Sequence, residues 1–313
     1  MHLRRKSIIC IVSLLFAVSL LAVGSSAYAS GASPLVETKW LEDNLNNPKV
    51  KIIFVDDWPS DKEQFEKKHI KGSYFMGVGG QMGALSPNPP DQEKFEGMMH
   101  RLGVNNGDHV VIYGAKAGKV FTLSAVWLME YFGHKDVSYL NGGLEKWNKE
   151  NRPSESGMKA APAGNYKAAG RNESIRIAKE DVLKNLKNSN VVLVDARGTG
   201  EYKGEVNNDK NVRVGHIPGG IDIDSQNNFN SDKGVLKSVD ELKAMYEAKG
   251  VTKDKEVVAY CQAGIKASNT YYTLKHILGY PNVKVYVGSW GDWNKADYNT
   301  YPIVGKIVPQ EKK

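Results

Sequence analysis

An internal repeat constrains the fold of this 313-residue chain more than any other feature of its sequence. Three pairs of segments align in the same order, the first two at an offset of 147 residues: His69–Ser73 with His216–Gly220, Val110–Gly114 with Val257–Cys261, and Gly142–Trp147 with Gly288–Trp293. A chain that encodes one motif order twice is predicted to fold as two similar domains. Its length suffices for two cores of ordinary size.

Each copy alternates short apolar runs, typical of strands, with stretches typical of helices. The first copy has strands at 51–55, 109–113 and 137–140 and helices at 90–102 and 121–132; the second has strands at 191–194, 256–260 and 283–287 and helices at 239–249 and 268–278. The strands are continuous apolar runs, which indicates a mainly parallel sheet covered by helices on both faces. We therefore predict two α/β domains, at 34–150 and 174–305, joined by a linker at 151–173 that is rich in Pro, Gly, Ala and Ser.

The first 29 residues differ in character from the rest. The cations Arg4-Arg5-Lys6 precede an apolar run from Ile8 to Val23, and Ala27-Tyr28-Ala29 follows shortly after it. This order is typical of a secretory signal peptide, and we expect cleavage near Ala29. The apolar run has about 16 residues, fewer than the roughly 20 that a spanning helix needs, so we expect no stable membrane anchor after cleavage. The mature protein is predicted to be extracytoplasmic, either secreted or periplasmic.

The charge of the chain favours small anionic partners. The net charge is +7, but three of the positive charges lie in the predicted signal peptide, which leaves about +4. These charges are spread over many lysines, and the chain has no motif that reads a nucleic-acid groove, so we expect no nucleic-acid partner. The seven histidines show no paired spacing of the kind that metal ligands have, so we predict neither a metal nor a cofactor. We expect a monomer.

Cys261 is the single cysteine of the predicted mature chain, because Cys10 lies in the signal peptide. It directly follows the predicted strand at 256–260, and reactive groups of parallel sheets collect beyond the carboxyl ends of strands. Backbone N–H groups of the following turn and helix are expected to face the sulfur, which favours a thiolate and can hold an anion or a persulfide. The first repeat has Gly114 at the matching position, so packing alone does not require a cysteine there. We interpret Cys261 as the reactive centre of a sulfur-transferring enzyme.

Four segments together carry a family resemblance: Val194–Arg197 (VDAR), Gly215–Gly220 (GHIPGG), the turn Cys261–Lys266 (CQAGIK) and Gly288–Trp293 (GSWGDW). With them, the chain resembles the tandem-domain rhodaneses, which are thiosulfate sulfurtransferases. The resemblance implies two rhodanese-like domains, of which the first is non-catalytic and the second catalytic, and it implies no metal or organic cofactor. It further implies that the cysteine takes a sulfane sulfur from thiosulfate, releases sulfite and passes the sulfur to cyanide or a thiol.

The resemblance also assigns substrate-binding residues around Cys261. The backbone amides of the turn would stabilise the persulfide and the departing anion, and Lys266 would add a positive charge at the rim. Arg197 matches a family arginine placed to meet the anionic donor, but an ion pair with Asp195 is an equally open role. His216 is expected to satisfy backbone groups. The predicted substrate-binding residues are Arg197, Gln262, Ala263, Gly264, Ile265 and Lys266.

Two other functions stay open at this point. The first is a 3-mercaptopyruvate sulfurtransferase, although the family members that use this donor have the loop Cys-Gly-Ser-Gly-Val-Thr, from which Ala263 and Lys266 depart. The second is a non-enzymatic persulfide carrier. Gln262 leaves the donor undecided, because many members of the family have an arginine or a lysine directly after the cysteine, whereas this chain has a neutral side chain there. A cysteine phosphatase is disfavoured, because it needs an arginine where the chain has Ala267.

Overall fold

The computed structural model describes residues 33–55, 59–77, 88–207 and 211–308. The predicted signal peptide, residues 1–29, lies outside the described residues. The α/β prediction is confirmed, because the chain forms two domains that are each built on a parallel sheet with flanking helices. Within the described ranges, no helix is long and apolar enough to cross a membrane.

The first domain is built around a parallel sheet of five strands. The strands of the whole domain are β1 (Leu35–Val36), β2 (Val50–Val55), β3 (His69–Ile70), β4 (Ser73–Met76), β5 (His109–Tyr113), β6 (Val137–Leu140) and β7 (Ser154–Glu155). Its helices are α1 (Thr38–Asp43), α2 (Pro59–Lys67), α3 (Gln92–Arg101), α4 (Val120–Tyr131) and α5 (Gly143–Lys149). The sheet has the order β1-β6-β5-β2-β4, and β3 and β7 form a separate antiparallel pair.

The second domain repeats this plan with a parallel sheet of four strands. The strands of the whole domain are β8 (Val191–Asp195), β9 (Arg213–His216), β10 (Gly220–Asp222), β11 (Phe229–Asn230), β12 (Val235–Leu236), β13 (Glu256–Tyr260), β14 (Val283–Val285) and β15 (Val304–Ile307). Its helices are α6 (Lys179–Asn185), α7 (Thr199–Lys203), α8 (Val239–Glu247), α9 (Ile265–Tyr272) and α10 (Ser289–Trp293). The sheet has the order β10-β8-β13-β14, while β9 pairs with β15 and β11 with β12 in antiparallel ribbons.

The repeated histidines have the same structural role in both domains. His69 places Nδ1 2.6 Å from the carbonyl oxygen of Phe65 and stacks on the Phe65 ring with centroids 3.9 Å apart. His216 places Nδ1 2.9 Å from the carbonyl oxygen of Tyr202 and stacks on the Tyr202 ring at 3.8 Å. The expectation that His216 satisfies backbone groups is therefore confirmed.

The segment at 151–173, predicted to be a linker, packs against the first domain. Tyr166 in this segment is buried, meets the ring of Phe95 edge-on at 5.8 Å and donates a hydrogen bond to the carbonyl oxygen of Phe132 (3.2 Å). The segment thus covers part of the first core before the chain enters the second domain.

The two domains meet along α4 and α9, one helix from each repeat. The Tyr271 hydroxyl of α9 donates to Glu130 Oε2 of α4 (3.0 Å), and the Tyr272 hydroxyl donates to the carbonyl oxygen of Pro34 (2.6 Å). Because α9 begins directly after the Cys261 turn, this interface fixes the helix on which the candidate site is built.

Candidate active site

Cys261 lies at the carboxyl edge of the second sheet, where the sequence predicts it. It is the residue after β13, an inner strand between β8 and β14, and α9 begins four residues later. The thiol is free, and the residue is only 2% exposed.

The turn after Cys261 is tightly constrained by its backbone. Gly264 has a φ of +81°, a left-handed conformation that side chains rarely adopt, and a Cβ here would lie 3.0 Å from the carbonyl oxygen of Val287. The N–H of Trp290 donates to the carbonyl oxygen of Cys261 (2.8 Å). The start of α10 therefore anchors the turn through this hydrogen bond. Glycine is required at position 264 because the Val287 carbonyl group lies so close to its Cα.

Ser289 is a site residue that the sequence reasoning missed. It has a φ of +53°, and its Oγ accepts hydrogen bonds from the N–H groups of Cys261 (3.0 Å) and Gly264 (3.1 Å). The same Oγ donates to the carbonyl oxygen of Tyr286 (2.7 Å) and lies 4.0 Å from the Cys261 sulfur. The repeat contained a signal for it, because the aligned residue of the first copy is Gly143, with a φ of +58°.

The remaining N–H groups of the turn are left for another acceptor. Within the described part of the chain, no hydrogen bond is found for the backbone N–H groups of Gln262, Ala263, Ile265 and Lys266. The first N–H groups of a helix have no partner inside the helix, and together with the helix dipole they favour negative charge. The turn therefore offers a cluster of donors beside the thiol, which suits an anionic sulfur species.

The side chain of Gln262 is held by a neighbouring amide. Its Nε2 donates to Asn211 Oδ1 (2.9 Å), and Asn211 Nδ2 donates back to Gln262 Oε1 (3.3 Å). Asn294 Nδ2 also donates to Asn211 Oδ1 (3.0 Å). Sequence reasoning missed Asn211, because nothing in its own surroundings marks it. The side chain after the cysteine is thus neutral and fixed in a chain of amides.

Lys266, the predicted cation of the rim, lies beside a carboxylate. Its Nζ is 4.0 Å from Asp224 Oδ1, and the two side chains are 31% and 26% exposed. Asp224 also accepts a hydrogen bond from the N–H of Gln226 (3.0 Å), which caps a short 3₁₀ helix, Ser225–Asn228. The sequence analysis did not single out Asp224, and its presence reduces the positive charge at the rim.

Arg197 forms the ion pair with Asp195 that the sequence left open. Its Nε lies 2.9 Å from Asp195 Oδ1 and its Nη2 2.6 Å from Oδ2, while Nη2 also donates to the carbonyl oxygen of Gly215 (2.7 Å). Burial acts to lower the pKa of Arg197, but the hydrogen bonds and charge of Asp195 outweigh it and raise that pKa. The guanidinium also lies over the ring of Trp290 at 4.7 Å. A contact with the donor stays a prediction for this residue.

The matching turn of the first domain is crowded, and a cysteine side chain there would require its neighbours to shift. A Cβ on Gly114 would lie 2.6 Å from Thr122 Oγ1 and 3.1 Å from the Cβ of Lys119. Lys119 is itself held by Asp61, whose carboxylate oxygens lie 2.9 and 3.1 Å from its Nζ. This turn is closed around its glycine, which fits a non-catalytic first domain.

With this geometry established, comparison with known proteins identifies the family. A model of the rhodanese-like domain matches residues 37–150 and again residues 178–296. The chain belongs to the rhodanese family. This rhodanese has two α/β domains of the family fold, and it is a sulfurtransferase of the rhodanese type.

Named relatives of this rhodanese differ in their sulfur chemistry. The sulfur carrier protein TtuD of Thermus thermophilus is 38% identical over 271 residues, which cover 83% of this chain and 93% of that protein. A protein of Mycobacterium tuberculosis with the provisional name thiosulfate sulfurtransferase is 32% identical, and the match covers 83% of this chain and 94% of that protein. The crystal structure of SseA from Escherichia coli, described as a 3-mercaptopyruvate sulfotransferase, superposes with a TM-score of 0.71 at 29% sequence identity. The superposition covers 83% of this chain and 99% of SseA.

Proposed function

We propose that this rhodanese is a thiosulfate sulfurtransferase that carries the transferred sulfur as a persulfide on Cys261. The observation that supports this most strongly is the Cys261 turn. It carries a free thiol, several backbone N–H groups that have no hydrogen-bond partner among the described residues, and the ammonium group of Lys266. This combination fits a small anion that both binds and leaves. The acceptor is cyanide or a thiol, as the family resemblance implies.

The reaction divides into two displacements at sulfur. In the first, the Cys261 thiolate attacks the outer, sulfane sulfur of thiosulfate, and the sulfur–sulfur bond of the donor breaks so that sulfite leaves with the electron pair. In the second, the acceptor attacks the outer sulfur of the persulfide, and the Cys261 thiolate leaves. The backbone N–H groups of Gln262, Ala263, Ile265 and Lys266 stabilise negative charge in both steps, because they are already oriented by the turn.

The test of this function is a comparison of donors on the mature protein. We expect kcat/KM for thiosulfate, measured as thiocyanate formed with cyanide, to exceed that for 3-mercaptopyruvate, measured as pyruvate released, by about tenfold or more. The reverse order would reassign the protein to the 3-mercaptopyruvate sulfurtransferases. One stoichiometric sulfur loading without turnover would favour a persulfide carrier, a function that the relative named as a sulfur carrier keeps under consideration.

Lys266→Ala is expected to weaken the donor step more than the acceptor step. Loss of a half-exposed cation next to the turn should raise KM for thiosulfate about three- to tenfold, while the rate of sulfur transfer to uncharged acceptors changes little. Lys266→Arg, which keeps the charge, is the matched control. Pre-steady-state measurement of sulfite release and of persulfide discharge separates the steps, and equal losses in both would contradict a role in donor binding.

We also propose that the mature protein works outside the cytoplasm as a monomer without a stable membrane anchor. The order of cations, apolar run and Ala27-Tyr28-Ala29 supports cleavage after Ala29. Mass spectrometry of the protein from its native host should find Ser30 at the amino terminus, and light scattering should give a mass for one chain. Intact residues 1–29 would contradict the cleavage.

A further inference from the structure

Asp224 occupies a position from which it can influence any anion bound at the Cys261 turn. It follows β10, whose last residue Asp222 is in register with Asp195 at the end of β8, so it lies at the same carboxyl edge of the sheet as the reactive thiol. Its Oδ1 lies 4.0 Å from Lys266 Nζ, and its side chain is 26% exposed. The one cation of the Cys261 turn therefore has a carboxylate beside it.

Two carboxylates, those of Asp224 and Glu201, lie close to Gly198. A Cβ built on Gly198 would lie 3.6 Å from Asp224 Oδ2 and 3.7 Å from Glu201 Oε2. Gly198 follows Arg197, whose charge is paired with Asp195. The Asp224 carboxylate therefore offsets part of the charge of Lys266, and the rim is closer to balanced than the sequence suggested.

The position of Asp224 is fixed through the first domain. Its Oδ1 caps the 3₁₀ helix by accepting from the N–H of Gln226 (3.0 Å), and the Gln226 side chain donates through Nε2 to the carbonyl oxygen of Gly118 (3.0 Å). A Cβ on Gly118 would lie 3.1 Å from the ring of Phe229, so the first-domain loop packs closely on this segment. The carboxylate is held at the rim by the domain interface.

We propose that Asp224 is a specificity-determining residue that weakens the binding of doubly charged anions at the Cys261 turn. A bound anion must share Lys266 with Asp224, and the repulsion between Asp224 and a dianion is twice that of a monoanion at the same distance. Asp224 thus lowers affinity for a dianionic donor and speeds the release of sulfite. The part that concerns donor and product rests on the proposed function; the preference among anions does not.

The test is Asp224→Asn in the full mature chain. Asparagine caps a helix about as well as aspartate, so this change removes the charge and keeps the hydrogen bond to Gln226. Anion affinity is measured as protection of Cys261 from alkylation by iodoacetamide, with sulfate as an inert dianion and nitrate as a monoanion, at low ionic strength. We expect the variant to bind sulfate about three- to tenfold more tightly and nitrate at most about threefold more tightly.

Further variants show whether Asp224 acts through its charge. Asp224→Ser also caps the helix without a charge and should reproduce the tighter binding of sulfate. In a Lys266→Ala background, Asp224→Asn should increase the affinity for sulfate by a smaller factor. Asp224 can then no longer compete with the anion for Lys266. Unchanged or weaker binding of sulfate in both Asp224 variants would overturn the proposal and leave Asp224 as a helix cap. If sulfate binding tightened but thiosulfate gave no turnover even in the unmodified protein, only the proposed donor would fail.

Discussion

Cys261→Ser abolishes sulfur transfer, with an expected fall in kcat of at least about 10³-fold and little change in the thermal midpoint. Serine has nearly the shape of cysteine, and the residue is only 2% exposed, so the packing around it is kept. An alkoxide does not form the sulfur–sulfur bond on which both half reactions depend. Thiocyanate formation reports the loss, and a mass spectrum taken after incubation with thiosulfate reports the missing adduct of one sulfur atom.

The serine variant has an internal control, because the mature chain is predicted to contain no other cysteine. A thiol titration of the unfolded variant should therefore give no reactive group at all. Turnover above about 1% of the parent value in that preparation would show that the sulfur is carried elsewhere and would contradict the assignment of Cys261.

Moving the cysteine to the first repeat should not restore activity. In the Cys261→Ser background, a cysteine at Gly114 would place its Cβ 2.6 Å from Thr122 Oγ1. The first turn also has two more residues before its helix, since α4 begins at Val120, six residues after Gly114. Recovery of thiocyanate formation in the double variant would show that a cysteine alone makes the site and that the geometry of the turn is unimportant.

The fold was predictable because its strongest signals are local and occur twice. The strands at 109–113 and 256–260 coincide with β5 and β13, since each is a largely apolar run that is followed by a glycine or a cysteine. The helix predicted from 268 begins three residues earlier, at Ile265. Gly264 adopts a left-handed conformation that starts the helix at once, and apolar periodicity does not reveal backbone angles of this kind.

The surroundings of Cys261 were less predictable, because they depend on contacts between distant segments. Asp224 reaches the site because β10 lies in the same sheet as β13, and Asn211 reaches it from the segment before β9, which lies outside that sheet. Neither contact can be read from the residues next to them in the sequence. For Arg197 the sequence left two roles open, since a buried ion pair and an anionic ligand both require the same guanidinium. Only the distances to Asp195 show which bonds it makes.

Ser289→Gly is expected to lower kcat about 10- to 100-fold and to leave the thermal midpoint within about 3 °C of the parent. The variant loses the Oγ that holds the N–H groups of Cys261 and Gly264, so the turn is no longer fixed relative to the sulfur. The loss of these hydrogen bonds costs about 1–2 kcal/mol, and glycine relieves a strain of about 1 kcal/mol at this positive φ. Gly143 shows that a glycine adopts the same conformation in the first domain.

Ser289→Ala is the matched variant, because it removes the same hydroxyl and keeps the backbone strain. We expect it to lose as much kcat as Ser289→Gly but to have a lower thermal midpoint. A kcat that followed the thermal midpoint from one variant to the other would show that Ser289 only stabilises the fold. Equal losses of kcat at unequal stability would instead show that the hydroxyl itself positions the turn for sulfur transfer.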